Sequence, residues 1–170
     1  MLFRSNDKVH MVVSMRSSDL ILGIAYDVPA FTLFQELLAN QLSRRLNKHI
    51  DVGEYTHVSN SLHIYEKHFE MAEDILKKKE IFSLEMPALP TSEIPLQTIL
   101  AFEAECRTAS TADHLESIVS NCNTGSDYWD DWCKILASHR AGKFKTAEAE
   151  KVRSKLLYST SFSGYNFFNK

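Results

Sequence analysis

Hydrophobic and polar positions alternate from Val9 onward. Val9, Met11, Val13 and Met15 share one face and His10, Val12, Ser14 and Arg16 the other, the period of two that predicts a β-strand ending on Arg16. Ahead of it, Met1-Leu2-Phe3 reads as a short apolar strand and Ser5-Asn6-Asp7-Lys8 as a turn, so the chain is expected to open on a β-hairpin. Further on the period lengthens. Phe31, Phe34, Leu37, Leu38, Leu42 and Leu46 recur at helical steps, which predicts a helix over 29–46, opened by Asp27 and Pro29, whose apolar stripe must be buried. Alternation returns over Glu54–Tyr65: Tyr55, His57, Ser59, Ser61, His63 and Tyr65 share one face, and Thr56, Val58, Leu62 and Ile64 the other, with Asn60 interrupting the apolar side.

Residues 66–80 read as a helix with Phe69, Ala72, Ile75 and Leu76 on one side. The stretch Met86-Pro87-Ala88-Leu89-Pro90-Thr91-Ser92-Glu93-Ile94-Pro95 then forms a stiff, proline-rich connector, the one internal boundary the pattern offers. Beyond it Leu96–Cys106, Asp113–Asn121, Asp127–His139 and Thr146–Tyr158 read as helices, with start and stop signals in Thr111-Ala112-Asp113-His114 and Thr124-Gly125-Ser126-Asp127. Tyr128-Trp129-Asp130-Asp131-Trp132 is expected to pack as an aromatic anchor in the core. The ending, Ser159 to Lys170, is held only if Tyr165, Phe167 and Phe168 dock. The expected fold is α+β: a sheet with packed helices over 1–85, the connector over 86–95, and a helical region over 96–170 packed on it.

Composition narrows the function without naming it. The 170 residues are 44% hydrophobic and 24% charged, with a net charge of −3, which is globular usage with no general nucleic-acid or membrane surface. The cluster Ser43-Arg44-Arg45-Leu46-Asn47-Lys48-His49 reads as a solvated helix end complementing the helix dipole. No apolar run reaches membrane-spanning length and the N-terminus lacks a signal-peptide core. Cys106, Cys122 and Cys133 are odd in number and lack metal-ligand spacing, so the expectation is a reduced, cytoplasmic protein without a metal.

Candidate chemistry gathers at the end of the second strand. There Arg16, Ser17, Ser18 and Asp19 precede Gly23, which can adopt backbone angles closed to other residues or allow close approach of a ligand. A strand, a polar turn and a helix start often hold an anion. The face of imidazole, phenol and hydroxyl groups from Tyr55 to Tyr65 suits either a polar pocket or the solvent side of an edge strand, about equally on spacing alone.

Two motifs carry the reading further. Arg16-Ser17-Ser18-Asp19 with Gly23 four residues on and Asp27 four beyond that, followed later by His63-Ile64-Tyr65, resembles the thymidylate synthase family, over about residues 1 to 75. The family pattern is Arg-Ser-x-Asp, a Gly, an Asn or Asp, and a His-x-Tyr on a later strand. The resemblance tips the polar face toward a pocket and implies a thymidylate synthase-like sheet. The helical second half departs from better-known members, whose ends are strands and a segment closing over the folate, and looks like a divergent branch.

What the resemblance implies is specific. In this family a cysteine thiolate adds to C6 of a pyrimidine deoxynucleotide, activating C5 toward the one-carbon unit of methylenetetrahydrofolate. Arg16 and Ser17 would bind the 5′-phosphate, His63 and Tyr65 the ribose 3′-hydroxyl, and Asp19 and Gly23 would face the folate. Asp27 would read the pyrimidine edge, where a carboxylate suits the amino group of cytosine and an amide suits uracil. That implies dCMP over dUMP and hydroxymethyl transfer of the deoxycytidylate hydroxymethylase kind; the alternative for Asp27 is an N-cap for a helix beginning at Val28-Pro29.

The family nucleophile lies in a Pro-Cys motif before the strand that here begins at Met1, and none of the three cysteines stands beside a proline. The expectation is therefore a C-terminal part of such an enzyme, inactive alone, either truncated or split from a partner chain that carries the cysteine, with a homo-oligomer or a partner chain supplying the N-terminal half as its assembly. The alternative is a non-catalytic nucleotide-binding or assembly module derived from the family.

Overall fold

Asn6 and Asp7 both adopt left-handed backbone angles, φ 51° and 60°. This is the geometry of a tight hairpin turn that matches the twist of its strands. It joins β1 (Leu2–Ser5) to β2 (Lys8–Met15) in antiparallel pairing, Leu2 opposite Met11 and Ser5 opposite Lys8. The computed structural model describes residues 1–78, 85–90 and 95–165. Two compact units are present, Met1–Ser83 and Leu84–Lys170, and the whole is α+β.

In the first unit, β2 is followed by the two-residue β3 (Ser18–Asp19), the long helix α1 (Gly23–Leu46), β4 (Asp51–Ser59) and the two-residue β5 (Leu62–His63). A 3₁₀ turn (Glu66–His68) then leads into α2 (Phe69–Lys77). The helix expected over 66–80 thus begins as a tighter turn; its last two residues lie outside the described residues. The main sheet has the order β1-β2-β4, with β4 parallel to β2. α1 makes the crossover that parallel neighbours require.

Helix α1 starts six residues earlier than the periodicity indicated, at Gly23, with Leu22 as its N-cap. Pro29 consequently sits inside the helix, and Asp27 is a residue of the helix body. The N-cap reading of Asp27 is therefore incorrect. Gly23 is helical with no left-handed angle, and a Cβ added there would stand 3.4 Å from that of Asp19, in ordinary van der Waals contact. At the other end Asn47 takes a left-handed angle and closes the helix, with Arg44 and Arg45 in the last turn complementing the dipole.

The expected apolar stripe is only partly the buried one. Val9, Ala39 and Ile50 form the core of this unit, with Leu38 and Leu42 packed against it, whereas Phe34 and Leu46 are exposed. Within this unit a three-stranded sheet covers one side of a 24-residue helix, and Phe34 and Leu46 lie off that side.

The polar face of β4 is the half-buried one. Tyr55, His57 and Ser59 lie on the side of Met11, Val13 and Met15, toward α1, while Thr56 and Val58 are exposed. The single strand expected over 54–65 is broken at Asn60 and Ser61, so that β5 pairs with β3 in a second, two-stranded sheet. β2 likewise ends one residue early, leaving Arg16 in the bend that follows.

One polar side chain fastens α1 to the sheet. Between Val9, opposite Val52, and Met11, opposite Tyr55, β4 spends one more residue than β2, a bulge that leaves carbonyls without ladder partners. Gln35, fully buried, directs the two N–H groups of its Nε2 at the carbonyls of Val9 (2.7 Å), Gly53 (3.1 Å) and Glu54 (3.3 Å), one N–H being shared, while its Oε1 has no hydrogen-bond partner among the described residues. The Glu54 N–H donates to Nδ1 of His10 at 3.2 Å, and the His10 ring stacks on Phe3. Gly53 is needed here for space: a Cβ would stand 2.9 Å from the His10 ring and from the Val9 carbonyl.

The second unit is built of α3 (Leu96–Thr108), α4 (Ala112–Ser120), α5 (Asp127–Ala141) and α6 (Ala147–Tyr158), close to the bounds the sequence indicates. Helix α5 packs on the other three. Thr111 and Thr146 accept hydrogen bonds from the backbone of His114 and Ala149 and so cap α4 and α6. Before α5, Asp130 Oδ1 accepts from the Thr124 backbone at 2.8 Å and its hydroxyl at 2.7 Å. Trp129 is buried beside half-buried Trp132, as an aromatic core pair. Asp131, also buried, accepts from the backbone of Ser161 (2.9 Å) and Phe162 (3.1 Å) and pairs with Lys134, holding the chain after α6. Tyr165 is buried against Phe162; Phe167 and Phe168 lie outside the described residues.

Replacing Gln35 by Leu keeps the volume and strands three carbonyls at the bulge. The expected loss is about 2 to 3 kcal/mol, read as faster native-state hydrogen exchange of the β2 and β4 amides with the helices of the second unit unchanged.

Candidate functional site

The two motifs singled out in the sequence meet in the small second sheet. Parallel pairing sets Ser18 opposite Leu62 and Asp19 opposite His63. The Ser18 N–H donates to the carbonyl of Ser61 and the Leu20 N–H to that of His63, both at 2.9 Å. Residues forty-odd positions apart are thereby fixed side by side.

Side chains follow from that pairing. Ser17 Oγ and Nδ1 of His63 are 3.2 Å apart. The His63 and Tyr65 rings meet edge to face with centroids 4.8 Å apart, and Lys67 lies over the Tyr65 ring at 5.5 Å. Arg16 stands exposed in the bend beside Ser17, its guanidinium making no hydrogen bond or ion pair among the described residues. A planar cation beside a hydroxyl- and an imidazole-bearing residue suits an anionic ligand carrying a polar ring.

Asp19 does something the sequence did not indicate. Its Oδ1 accepts from the Ile21 N–H at 3.1 Å and its Oδ2 from the Leu22 N–H at 3.2 Å, which pins the chain where α1 starts. His68 Nδ1 lies 3.9 Å from Oδ2, too long for a hydrogen bond but close enough for charge to act. Desolvation opposes the ionised carboxyl, yet the two backbone N–H groups, and after them His68 and His63, hold its pKa below the ordinary 3.8.

A second chain of hydrogen bonds lies behind the first. Tyr55 OH and Nδ1 of His57 are 2.8 Å apart, and Nε2 of His57 reaches Ser18 Oγ at 3.3 Å. With a neutral imidazole, one ring nitrogen donates and the other accepts. Burial and the nearby Asp27 carboxylate push the Tyr55 phenol above its ordinary pKa. Asp27 is half-buried in α1, with no hydrogen bond among the described residues.

Arg16, Ser17, Asp19, His63 and Tyr65 are thus brought to the strand ends of one small sheet, with Gly23 and Asp27 on the helix that leads away from it. Lys67 and His68 were missed in the sequence. Both follow the His-x-Tyr motif within five residues, but no periodicity distinguishes them from the charged side of a helix. Among the described residues no group of three or more His, Cys, Asp or Glu could hold a metal ion, and no helix is long and apolar enough to cross a membrane.

A folate does not fit on these residues alone. Asp19 is 12% exposed and each oxygen already accepts a backbone hydrogen bond, and Gly23 stands in the first turn of α1 beside it.

A strand, turn and helix start set against a short parallel strand bring Arg16, Ser17, His63 and Tyr65 together in an α+β unit. Comparison with known proteins places it further: the model of the thymidylate synthase family matches residues 1–121, and the chain belongs to that family. The match runs through α3 and α4, well past the 75 residues on which the motifs stand. The chain is also similar to the thymidylate synthases of three strains of Francisella tularensis subsp. holarctica (FTNF002-00 / FTA, OSU18 and LVS). Identity is 28% over 90 residues, covering 53% of this chain and 28% of each relative. The matched stretch is thus about a quarter of those proteins.

The backbone bonds at Asp19 give a prediction with a sign. A carboxyl whose folded pKa lies below its ordinary 3.8 stabilises the fold above that value and ceases to do so as pH falls through its lowered one. Asp19→Asn should therefore lower the denaturant midpoint of the first unit at pH 7, with the gap to the parent closing under acid. A gap independent of pH would mean that shape, not charge, carries the contact.

Proposed function

We propose that this chain is the pyrimidine-deoxynucleotide-binding part of a thymidylate synthase-like C5 one-carbon transferase, with residues 1–85 forming the nucleotide site. The carrying observation is the pairing of β3 with β5, which sets Ser17 3.2 Å from His63 and so joins the two motifs. Arg16 and Ser17 would take the 5′-phosphate, the guanidinium as a charged fork and the hydroxyl as a donor. His63 and Tyr65 would meet the ribose hydroxyl, with Lys67 adding positive charge at the rim.

Asp27 would select the base. A carboxylate accepts from the N4 amino group of cytosine and has no donor for O4 of uracil, so dCMP is the preferred nucleotide and hydroxymethyl transfer the reaction of the complete enzyme. The nucleophile must come from elsewhere: no cysteine occurs among residues 1–83. Burial pushes the Cys106 thiol up to about 12 and the Cys133 thiol up as well, so neither is an activated thiolate. A partner chain, in the cytoplasm, would supply it, together with the surroundings that a methylenetetrahydrofolate needs, whether or not copies of this chain also pair.

A second reading, a non-catalytic nucleotide-binding or assembly module, is favoured by the apolar surface of the first unit. Phe69, Ile75 and Leu76 line one side of α2 and are exposed, Leu76 at 85%, and Val52 and Val58 are exposed on β4. Such a surface is what a partner covers.

Ligand binding separates the readings. A ligand at a hundred times its Kd stabilises by about 2.7 kcal/mol, enough to move Tm by several degrees. Millimolar dCMP should raise Tm more than dUMP or dTMP, and Arg16→Ala should abolish the shift while leaving the unliganded Tm within a degree or two. Silence toward all three nucleotides would leave assembly as the function. Asp27→Asn should reverse the order, with dUMP now giving the larger shift; a parent that already prefers dUMP would remove the cytosine assignment and leave the pocket standing.

A further inference from the structure

The three cysteines fall in the second unit, outside everything assigned so far, and two of them face each other. Cys122 Sγ and Cys133 Sγ are 3.0 Å apart, and both are free thiols. A disulfide bond is about 2.05 Å long, so closure needs the sulfurs to approach by about 1 Å. One side can supply that movement. Cys122 lies just past the C-cap of α4, Asn121, in the connection that leads through Gly125 to α5, whereas Cys133 is fixed in the middle of α5 among buried residues. Access is also one-sided: Cys122 is half-buried and Cys133 fully buried, so a small oxidant meets Cys122 first.

We propose that Cys122 and Cys133 are a reversible dithiol–disulfide site, closed by a hydroperoxide and reopened by a dithiol reductant. The Cys122 thiolate attacks one peroxide oxygen and breaks the O–O bond, forming a sulfenic acid, and the other oxygen leaves as hydroxide and is protonated to water. The Cys133 sulfur then attacks the Cys122 sulfur; the S–S bond forms, the S–O bond breaks, and the departing hydroxide takes the Cys133 proton as a second water. Two thiols are oxidised and one hydroperoxide is reduced, giving two waters when it is hydrogen peroxide. The bond clasps the end of α4 to α5, the helix on which α3, α4 and α6 all pack, and closes a short loop whose freedom in the unfolded chain is thereby lost.

Cys106 is the competitor that makes the assignment testable. It is buried in α3, its electrostatic coupling to Cys122 and Cys133 places it in their neighbourhood, and a cavity of about 240 Å³ between α3 and α5 opens on it. The geometry nevertheless gives Cys122 and Cys133 the direct contact.

The full chain would be treated with hydrogen peroxide, quenched, alkylated and mapped without reduction. The expected result is a fall from three free thiols to one, a peptide pair crosslinked through Cys122 and Cys133, alkylated Cys106, and a Tm raised by several degrees and restored by dithiothreitol. Cys122→Ser and Cys133→Ser should each abolish the Tm change; should either fail to fold, the map of the parent protein decides by itself. A crosslink through Cys106, a covalent dimer, sulfinic acid at Cys122, or three thiols surviving peroxide that oxidises free glutathione would each overturn the proposal.

Discussion

The buried amide of Gln35 is the contact on which the first unit depends. A parallel pair of strands joined by a long helix is held together chiefly by the apolar face of that helix, and here the core it builds is small: Ala39 with Leu38 and Leu42 from α1, against Val9 and Ile50. The bulge in β4 would leave unsatisfied carbonyls in the middle of it, each costing about 1 to 3 kcal/mol if buried unpaired. One side chain on α1 answers three of them. It therefore fixes the helix against the sheet and the register of β4 against β2 together, and a register error of one residue would turn Tyr55 and His57 to the other face.

The register carries through to the site. With β4 set, His57 points to Ser18 and Tyr55 to His57, and the break at Asn60 and Ser61 turns the chain so that His63 lies opposite Asp19. Asp19 ties down the backbone just ahead of α1 and Ser17 touches His63. Arg16 is left with its charge unengaged among the described residues, and Asp27 without a hydrogen bond there. Asp19 and Ser17 are engaged within the fold, whereas Arg16 and Asp27 make no side-chain hydrogen bond or ion pair among the described residues. This contrast in a member of the thymidylate synthase family makes the pocket reading stronger than the motifs do alone.

The second unit solves a different problem by the same means. Four helices bury a core of small and medium residues, Ala137, Ala141 and Ala149 among Leu115, Leu156 and Leu157, and short side chains let helices approach closely. A buried carboxylate, Asp131, is tolerated because two backbone N–H groups and Lys134 meet it. It returns the chain after α6 onto α5, where Tyr165 is buried.

Element type was readable from the chain because it is set locally. The Asn6-Asp7 turn, the alternation of β2, the threonine caps of α4 and α6 and the four helices beyond the connector all follow from residues within a turn or two of one another. The motif Arg16-Ser17-x-Asp19 with His63-x-Tyr65 was equally visible, since it is a matter of residue identity. What pairing and packing settled was different in kind. Periodicity could not show that α1 begins at Gly23, because Asp19 fixes that point from outside the helix. Nor could it show that Phe34 stays exposed while a glutamine is buried, because that depends on how wide a sheet the helix meets. Alternation identified the polar face of β4; only the carbonyls that Gln35 had to reach turned that face inward toward α1.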